Sequence, residues 1–377
     1  MKASTYFNPK NIEWPNTLFI LLTPLIAVIS VAYYLSTEAW NWPIFWVAFF
    51  FYWASGFGIT AGYHRLFAHK TYKANALVRF LLAIFGAIAF QNSILKWASD
   101  HRRHHHKVDS DDDPYTITEG FFYAHMGWIL LKEKKNSHSY IKDLGKDPLV
   151  LWQHKYYIPI AVGFGIVLPT LIGGMLGSYL GGFALIAMAR IVLVHHFTFF
   201  INSLCHMWGN RPYSRIQTAR DNGLISLFTF GEGYHNYHHE FQTDYRNGLR
   251  WWQYDPTKWL IFSLSKIGFT WGLKRIPEAK IEAAKMQVLT EKLRSSQTDL
   301  SEEKESLVES LDSLKEKIIS LHRSLSEKTQ ELKSVESGSI AADDIKSIKL
   351  KIDELSEQLK SNIKSWYQTY DMASQTA

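Results

Sequence analysis

The sequence has one cysteine among 377 residues, Cys205. That excludes an intramolecular disulfide, and also a zinc or iron–sulfur site built from several thiolates of one chain. Cys205 sits in a hydrophobic stretch and reads as a small buried residue. No Gly-rich dinucleotide fingerprint is present. Lysine and arginine are missing from two short connections between apolar runs, TEAWN (37–41) and GSY (177–179). Beyond residue 280 there is no proline, and Gly338 is the only glycine. The formal charge of +6 does not point to nucleic acid. The basic residues flank hydrophobic segments and form no isolated patch, so they read as membrane-side charge.

Hydrophobic residues make up 47% of the chain. Four segments are long and apolar enough to span a bilayer, which needs about 20 residues each. They are 16–36, 42–62, 156–177 and 180–204. A fifth run, 76–95, is interrupted by Arg79 and ends in Gln91 and Asn92, which fits an interfacial or partly inserted helix. The first span is too long and too late for a signal peptide, and no small-residue cleavage site follows it. Basic residues crowd 64–155 and the region after 207. By the positive-inside bias, both termini and the long middle loop are cytosolic.

From about residue 280 the pattern changes. Leu293, Leu300, Leu307, Leu314 and Leu321 recur every seven residues, with Leu311, Ile318, Leu325 and Leu332 as a second track. Gly338 interrupts the seam, and Ile345, Ile348, Ile352, Leu355 and Leu359 resume it. This predicts two helices. They can fold back as a hairpin, oligomerise as a coiled coil, or dock on their own chain. The expected organisation is a membrane domain over 1–275 and a coiled-coil or helical hairpin over 280–370.

The sixteen histidines are clustered. His64 and His69 lie in HRLFAH, just after the second span. His101, His104, His105 and His106 lie in DHRRHHHK. His206 ends the fourth span, and His235, His238 and His239 lie in GEGYHNYHHEF. On a helix, positions i, i+3 and i+4 share a face, so each H-x-x-H-H run is expected to present three imidazoles to one point. Neutral imidazole suits iron, zinc, copper and nickel. Nine candidates are too many for one metal ion and about right for two. His106 is placed outside the set, because the spacing 101/104/105 matches 235/238/239. All nine fall at one predicted membrane face. A metal transporter would instead hold its ligands at mid-membrane. His125, His138, His154 and His322 have no partner at metal spacing. His195, on the same helical face as Phe199, Asn202 and His206, can serve the site or bond a backbone group.

The motifs HRLFAH, DHRRHHHK and GEGYHNYHHEF resemble the three boxes of the integral-membrane acyl-CoA (stearoyl-CoA type) Δ9 desaturases. The likeness covers roughly 50–275 and includes FQN, GFFYAHMGW and RPYSR. It implies an all-α fold: four transmembrane helices under a cytosolic helical cap that holds a histidine-ligated di-iron centre, here with an added C-terminal coiled coil. It implies two iron ions on His64, His69, His101, His104, His105, His206, His235, His238 and His239, with Asn202 reaching a metal through water. Asn92 and Asp100 match positions that contact the acyl carrier, Trp97 a tunnel-lining aromatic, and Tyr52 a residue near the closed tunnel end. Ser99 replaces an arginine, Lys132 and Glu133 replace a basic pair, and Phe199 replaces a tryptophan. The first two changes remove charge that would meet a phosphate-bearing carrier. Acyl-CoA is thus the implied substrate, with an acyl-lipid or acyl-carrier-protein thioester as alternatives.

The implied reaction forms a cis double bond, using O₂ and two electrons from a separate cytochrome b5 or ferredoxin-like donor. Asp100 and Glu232 are expected to orient imidazole N–H groups. No Glu-x-x-His pair lies on the spans, unlike the carboxylate di-iron bundles. The rival within the same chemistry is a three-box membrane hydroxylase; a membrane anchor for the coiled coil would not need nine placed histidines. The expected location is multi-pass in the plasma or inner membrane of a bacterium, or the endoplasmic reticulum of a eukaryote.

Overall fold

A computed structural model describes residues 8–132, 138–295, 302–336 and 342–375. It divides into two compact units: 1–211 with 216–275, and 212–215 with 276–377.

Four helices of the first unit are long and apolar enough to cross a membrane. They include α1 (Trp14–Thr37) and α2 (Trp42–Ala68). At 24 residues, α1 is about 36 Å long, enough for a hydrocarbon core of about 30 Å. Between α2 and the next long helix lie α3 (Ala76–Ala87), α4 (Ile94–Lys107), α5 (Phe121–His125) and α6 (Pro148–Lys155). The other two long helices are α7 (Tyr157–Met175) and α8 (Tyr179–Met207). The run predicted over 76–95 is therefore a twelve-residue helix, about 18 Å long and too short to cross. Asn92 in a left-handed turn (φ 70°) and Ser93 as N-cap start a new direction after it.

Close crossings build this unit. A Cβ on Gly58 of α2 would lie 2.2 Å from the Gly86 nitrogen of α3, so only glycine lets these backbones meet. Arg190, inside α8, is fully buried. Its guanidinium donates to the carbonyls of Ile88, Gly165 and Ile186. Gly165 and Ile186 lie where α7 and α8 widen to π-helical turns, which disturb the regular carbonyl pairing. The arginine thus satisfies backbone acceptors that lipid could not.

The rest of this unit is short: α9 (Gly223–Phe228), α10 (His235–Glu240), α11 (Pro256–Lys266), and a two-residue pairing of β1 (Lys73–Ala74) with β2 (Thr270–Trp271).

The second unit holds α12 (Glu278–Ser295), α13 (Glu302–Glu336) and α14 (Ala342–Gln375). The sequence predicted two helices here; the described residues form three. Leu293 and Leu307 of the seven-residue track lie on different helices, α12 and α13. Leu300 and Gly338 lie outside the described residues. Leu293, Leu311, Ile318, Leu359 and Trp366 are buried in the core of these three helices, and the Trp366 indole N–H donates to the Leu311 carbonyl at 2.9 Å. Leu307, Leu314, Leu321 and Leu325 of the heptad pack against the same core. Trp366→Ala should destabilise this unit by about 3–5 kcal/mol. Hydrogen exchange should show lost amide protection in α12–α14, with α1, α2, α7 and α8 unchanged.

Candidate metal centre

The histidine spacings are explained by local geometry. In an α-helix His64 and His69 would point about 140° apart. From Gly58 to Ala68, however, α2 widens to i→i+5 bonding, and the His69 N–H donates to the His64 carbonyl at 3.0 Å. The π turn brings H-x-x-x-x-H to one side. The second span therefore does not end before His64, as predicted; it carries His64 in its last turns. His206 sits in the last turn of α8.

The nine histidines form two groups. His64, His69, His101, His105 and His238 place their ligand nitrogens within 4.8 Å of one another, and His104, His206, His235 and His239 do the same. This corrects the expectation that each H-x-x-H-H run serves one point. On α4, His101 and His105 join the first group and His104 the second; on α10, His235 and His239 join the second and His238 the first. The i,i+4 pair shares a face, and the i+3 ring is turned far enough to face the neighbouring group. The two groups share a wall, with the His105 and His239 rings stacked at 4.4 Å. His106 lies outside both and stacks on Tyr140 at 5.3 Å.

The protons of these rings can be assigned from their partners. His64 Nδ1 lies 2.9 Å from the Glu232 carboxylate and His104 Nδ1 2.8 Å from Asp113. His239 Nδ1 lies 2.8 Å from Gln217 Oε1. A carboxylate or amide oxygen only accepts, so each of these Nδ1 atoms carries the hydrogen. In the neutral rings, the form a metal ligand takes, the Nε2 atoms are then bare lone pairs. Yet His104 Nε2 faces His239 Nε2 at 3.3 Å, where two neutral rings bonded in this way would have no hydrogen to share. His206 Nε2 is buried without a hydrogen-bond partner, while its Nδ1 bonds the Thr218 hydroxyl at 2.7 Å. Converging buried lone pairs of this kind fit a divalent cation.

Burial, and then the repulsion of neighbouring imidazoles, holds the pKa values of His69, His101, His105, His235, His238 and His239 well below the ordinary value. The rings are therefore neutral, as ligands must be. Burial pushes the Glu232 carboxyl up, but Arg65 and His64 outweigh it and hold it below its usual range. Arg65 is the hub here. It donates to Glu232 at 2.9 and 3.1 Å, to Asp255 at 3.1 Å and to the Tyr245 carbonyl. The glycines around Glu232 have no room for a side chain: a Cβ on Gly231 (φ +97°) would lie 2.6 Å from Asp255, and one on Gly233 would lie 2.4 Å from the Ser226 nitrogen.

Sequence reasoning missed most of these orienting groups. Glu232 was named, but Asp113, Gln217 and Tyr115 were not; Tyr115 lies 3.2 Å from His101 Nδ1. Asp109 was missed too, although it accepts from Thr218 N–H and hydroxyl at 2.8 and 2.6 Å. Asp109 and Asp113 lie in DSDDD, which reads as a solvated charge run. Asp100 was expected to hold an imidazole or the acyl carrier; it is buried and pairs with Lys96 at 2.9 Å, one helical turn away.

Of the other expected residues, Trp97 lies against the first group, stacked on His101 at 4.7 Å. Tyr52 donates to the Phe228 carbonyl at 3.4 Å and packs on Phe197 and Phe230. Phe199 is buried against His125 and His195. Asn92 is exposed, with its N–H donating to the Tyr157 hydroxyl. Asn202 ends the regular part of α8, one turn before His206. His195 bonds the Ala89 carbonyl at 2.8 Å, the backbone role considered for it. His125, read as lacking a partner at metal spacing, pairs with Ser203 and His196. Ser99 is half-buried on α4, and Lys132 is exposed; Glu133 lies outside the described residues. An open cleft of about 520 Å³ reaches the wall of the centre at His105 and Gln217.

These features define an integral membrane protein with two adjacent, buried, all-histidine metal-binding groups. Residues 40–266 match the family model described as fatty acid desaturase. The "Probable acyl-CoA desaturase" of Schizosaccharomyces pombe is 41% identical over 282 residues, covering 74% of this chain and 58% of that protein. "Stearoyl-CoA desaturase 5" of Bos taurus is 36% identical, covering 73% of this chain and 84% of that protein. "Acyl-CoA Delta(11) desaturase" of Spodoptera littoralis is 37% identical over 66% of this chain and 76% of its own length. The chain belongs to the fatty acid desaturase family. It spans somewhat more than half the length of the Schizosaccharomyces pombe protein.

Two outcomes follow from the centre. Asp113→Asn should lower metal affinity about 10–100-fold, read as metal retained through a chelator series. In the metal-free chain, each depressed histidine binds its proton less readily folded than unfolded. Their stabilisation is whole above about pH 6.5 and is lost as the pH falls from there toward the folded values. Thermal melts of metal-free protein should therefore shift down progressively below about pH 6.5.

Proposed function

We propose that this chain is an oxygen-dependent acyl-CoA desaturase that introduces a cis double bond, at Δ9, into a saturated long-chain acyl group. The observation that carries this reading is the pair of adjacent, buried imidazole groups whose ring nitrogens converge on one another. The names of the relatives support an acyl-CoA substrate. They include stearoyl-CoA and Δ11 enzymes, and the likeness of the three boxes to the Δ9 type favours Δ9. The net reaction is CH₂–CH₂ + O₂ + 2 e⁻ + 2 H⁺ → CH=CH + 2 H₂O.

Two iron ions, bound one to each histidine group, would supply the oxidising power that no side chain has. His64, His69, His101, His105 and His238 form one ligand set. His104, His206, His235 and His239 form the other, with Asn202 beside it through water. Glu232, Asp113, Gln217 and the Thr218–Asp109 pair keep the hydrogen on Nδ1 and aim each Nε2 inward. Trp97 forms an apolar wall beside the first set and holds the acyl chain where two adjacent methylenes meet the centre, since reaction demands near-attack placement. Tyr52 and Phe199 bound the acyl path, while Asn92, Asp100 and Lys132 lie on the carrier side. Electrons come from a separate donor of the cytochrome b5 or ferredoxin type. The active site and both termini face the cytosol, and residues 1–275 carry the chemistry.

The test is expression in a host unable to make unsaturated fatty acids, with a competent electron donor, followed by lipid profiling. A new monounsaturated acyl chain with the double bond at Δ9 is expected from the intact chain and none from His238→Ala. Hydroxylated products, or no new product at all, would sink the proposal.

A further inference from the structure

Residues 250–271 carry several large exposed apolar side chains. Trp251 is 85% exposed and Ile267 64%. Trp252, Trp259, Phe262 and Trp271 are also exposed. Single exposed hydrophobic side chains are ordinary, but seven large ones within 22 residues, Phe269 included, form a patch of the kind that marks an interaction site.

The position of this patch indicates what covers it. The inner face of α11 is fixed to the second span: Thr257 Oγ1 lies 2.7 Å from Thr60 Oγ1 of α2, and Ile261 is buried in the same apolar cluster as Ile59. The strand after α11 is tied down by the pairing of Trp271 with Lys73. The helix is therefore held against the last turns of a membrane-crossing helix, with Trp259 and Phe262, three residues apart, exposed on its outer face. Basic groups sit on the same rings. The Arg250 guanidinium lies 5.7 Å from the Trp252 ring, and Lys266 Nζ lies 4.9 Å from the Phe262 ring. Tryptophan beside snorkelling lysine and arginine is the chemistry of the membrane–water boundary.

We propose that segment 250–271 is an interfacial anchor whose occupant is the phospholipid surface: Trp251, Trp252, Trp259, Phe262 and Ile267 enter the headgroup–acyl boundary, and Arg250 and Lys266 meet lipid phosphates. The anchor is linked to the first histidine group. Asp255 caps α11 by accepting from the Lys258 N–H at 2.9 Å, and it pairs with Arg65 at 3.0 Å. Arg65 holds Glu232, which holds His64. Lipid contact at α11 thereby sets the level of the bilayer surface relative to the centre.

The only native thiol, Cys205, is fully buried, which allows a direct test. Trp251→Cys and Ile267→Cys are each labelled with a polarity-sensitive fluorophore in the full chain and reconstituted in phosphatidylcholine–phosphatidylglycerol vesicles. Ser110→Cys, exposed at the open cleft, provides the water-exposed reference. Probes at 251 and 267 should emit further to the blue than the probe at 110. Phospholipid nitroxides placed near the headgroup should quench them at least about twofold more strongly than aqueous iodide does. Probes at both positions that answer to iodide and ignore the lipid nitroxide would overturn the anchor and leave the face to a soluble partner.

Discussion

The structure is organised around ring nitrogens brought together in a buried site. A neutral imidazole that donates from Nδ1 to a carboxylate or amide oxygen offers only a lone pair at Nε2. His104 and His239 do so toward each other at 3.3 Å, and His206 adds a buried Nε2 without a partner. Such an arrangement is repulsive unless a cation lies between the rings, and it persists in the fold because each ring is clamped from behind. Glu232 stays anionic because Arg65 is buried against it, and Arg65 is in turn held by Asp255. The close fit around Gly231 and Gly233, the π turn at the end of α2 and the cap on α11 all serve that clamp.

The histidines themselves were legible in the sequence, because metal-ligand spacing and membrane sidedness are both local patterns. Their division between two groups was not. Helical periodicity places i, i+3 and i+4 on one face, but that face is about 100° wide, and it is the approach of α10 to α4 that decides which ring turns to which neighbour. His64 and His69 show the same limit: their spacing suits an α-helix poorly, and the widening of α2 that reconciles it depends on packing against α3. The orienting groups were mostly invisible. Four aspartates in DSDDD look alike as a string, and only the folded loop selects Asp109 and Asp113 to turn inward.

Substrate contacts were legible in a different way. Trp97, Tyr52, Asn92, Asp100, Lys132 and Phe199 were named by likeness to a family and not by chemistry, and the structure distributes them unevenly. Trp97 stacks on a histidine of the centre, whereas Asp100 is already engaged with Lys96. The tail shows a similar contrast. A heptad announces a helix–helix seam without naming its partner, and here Leu293, Leu311, Ile318 and Leu359 are covered by helices of the same chain.

By itself the sequence determined the helical class, the four long apolar segments, the heptad tail and the nine imidazoles, since each is written in composition or in a short-range period. Tertiary structure alone decided the two five- and four-histidine groups, the hydrogen on each Nδ1, the carbonyl-satisfied Arg190 and the aromatic face of α11. All four depend on which distant segments meet. A local period fixes which side of an element a residue occupies, and only packing fixes what it faces.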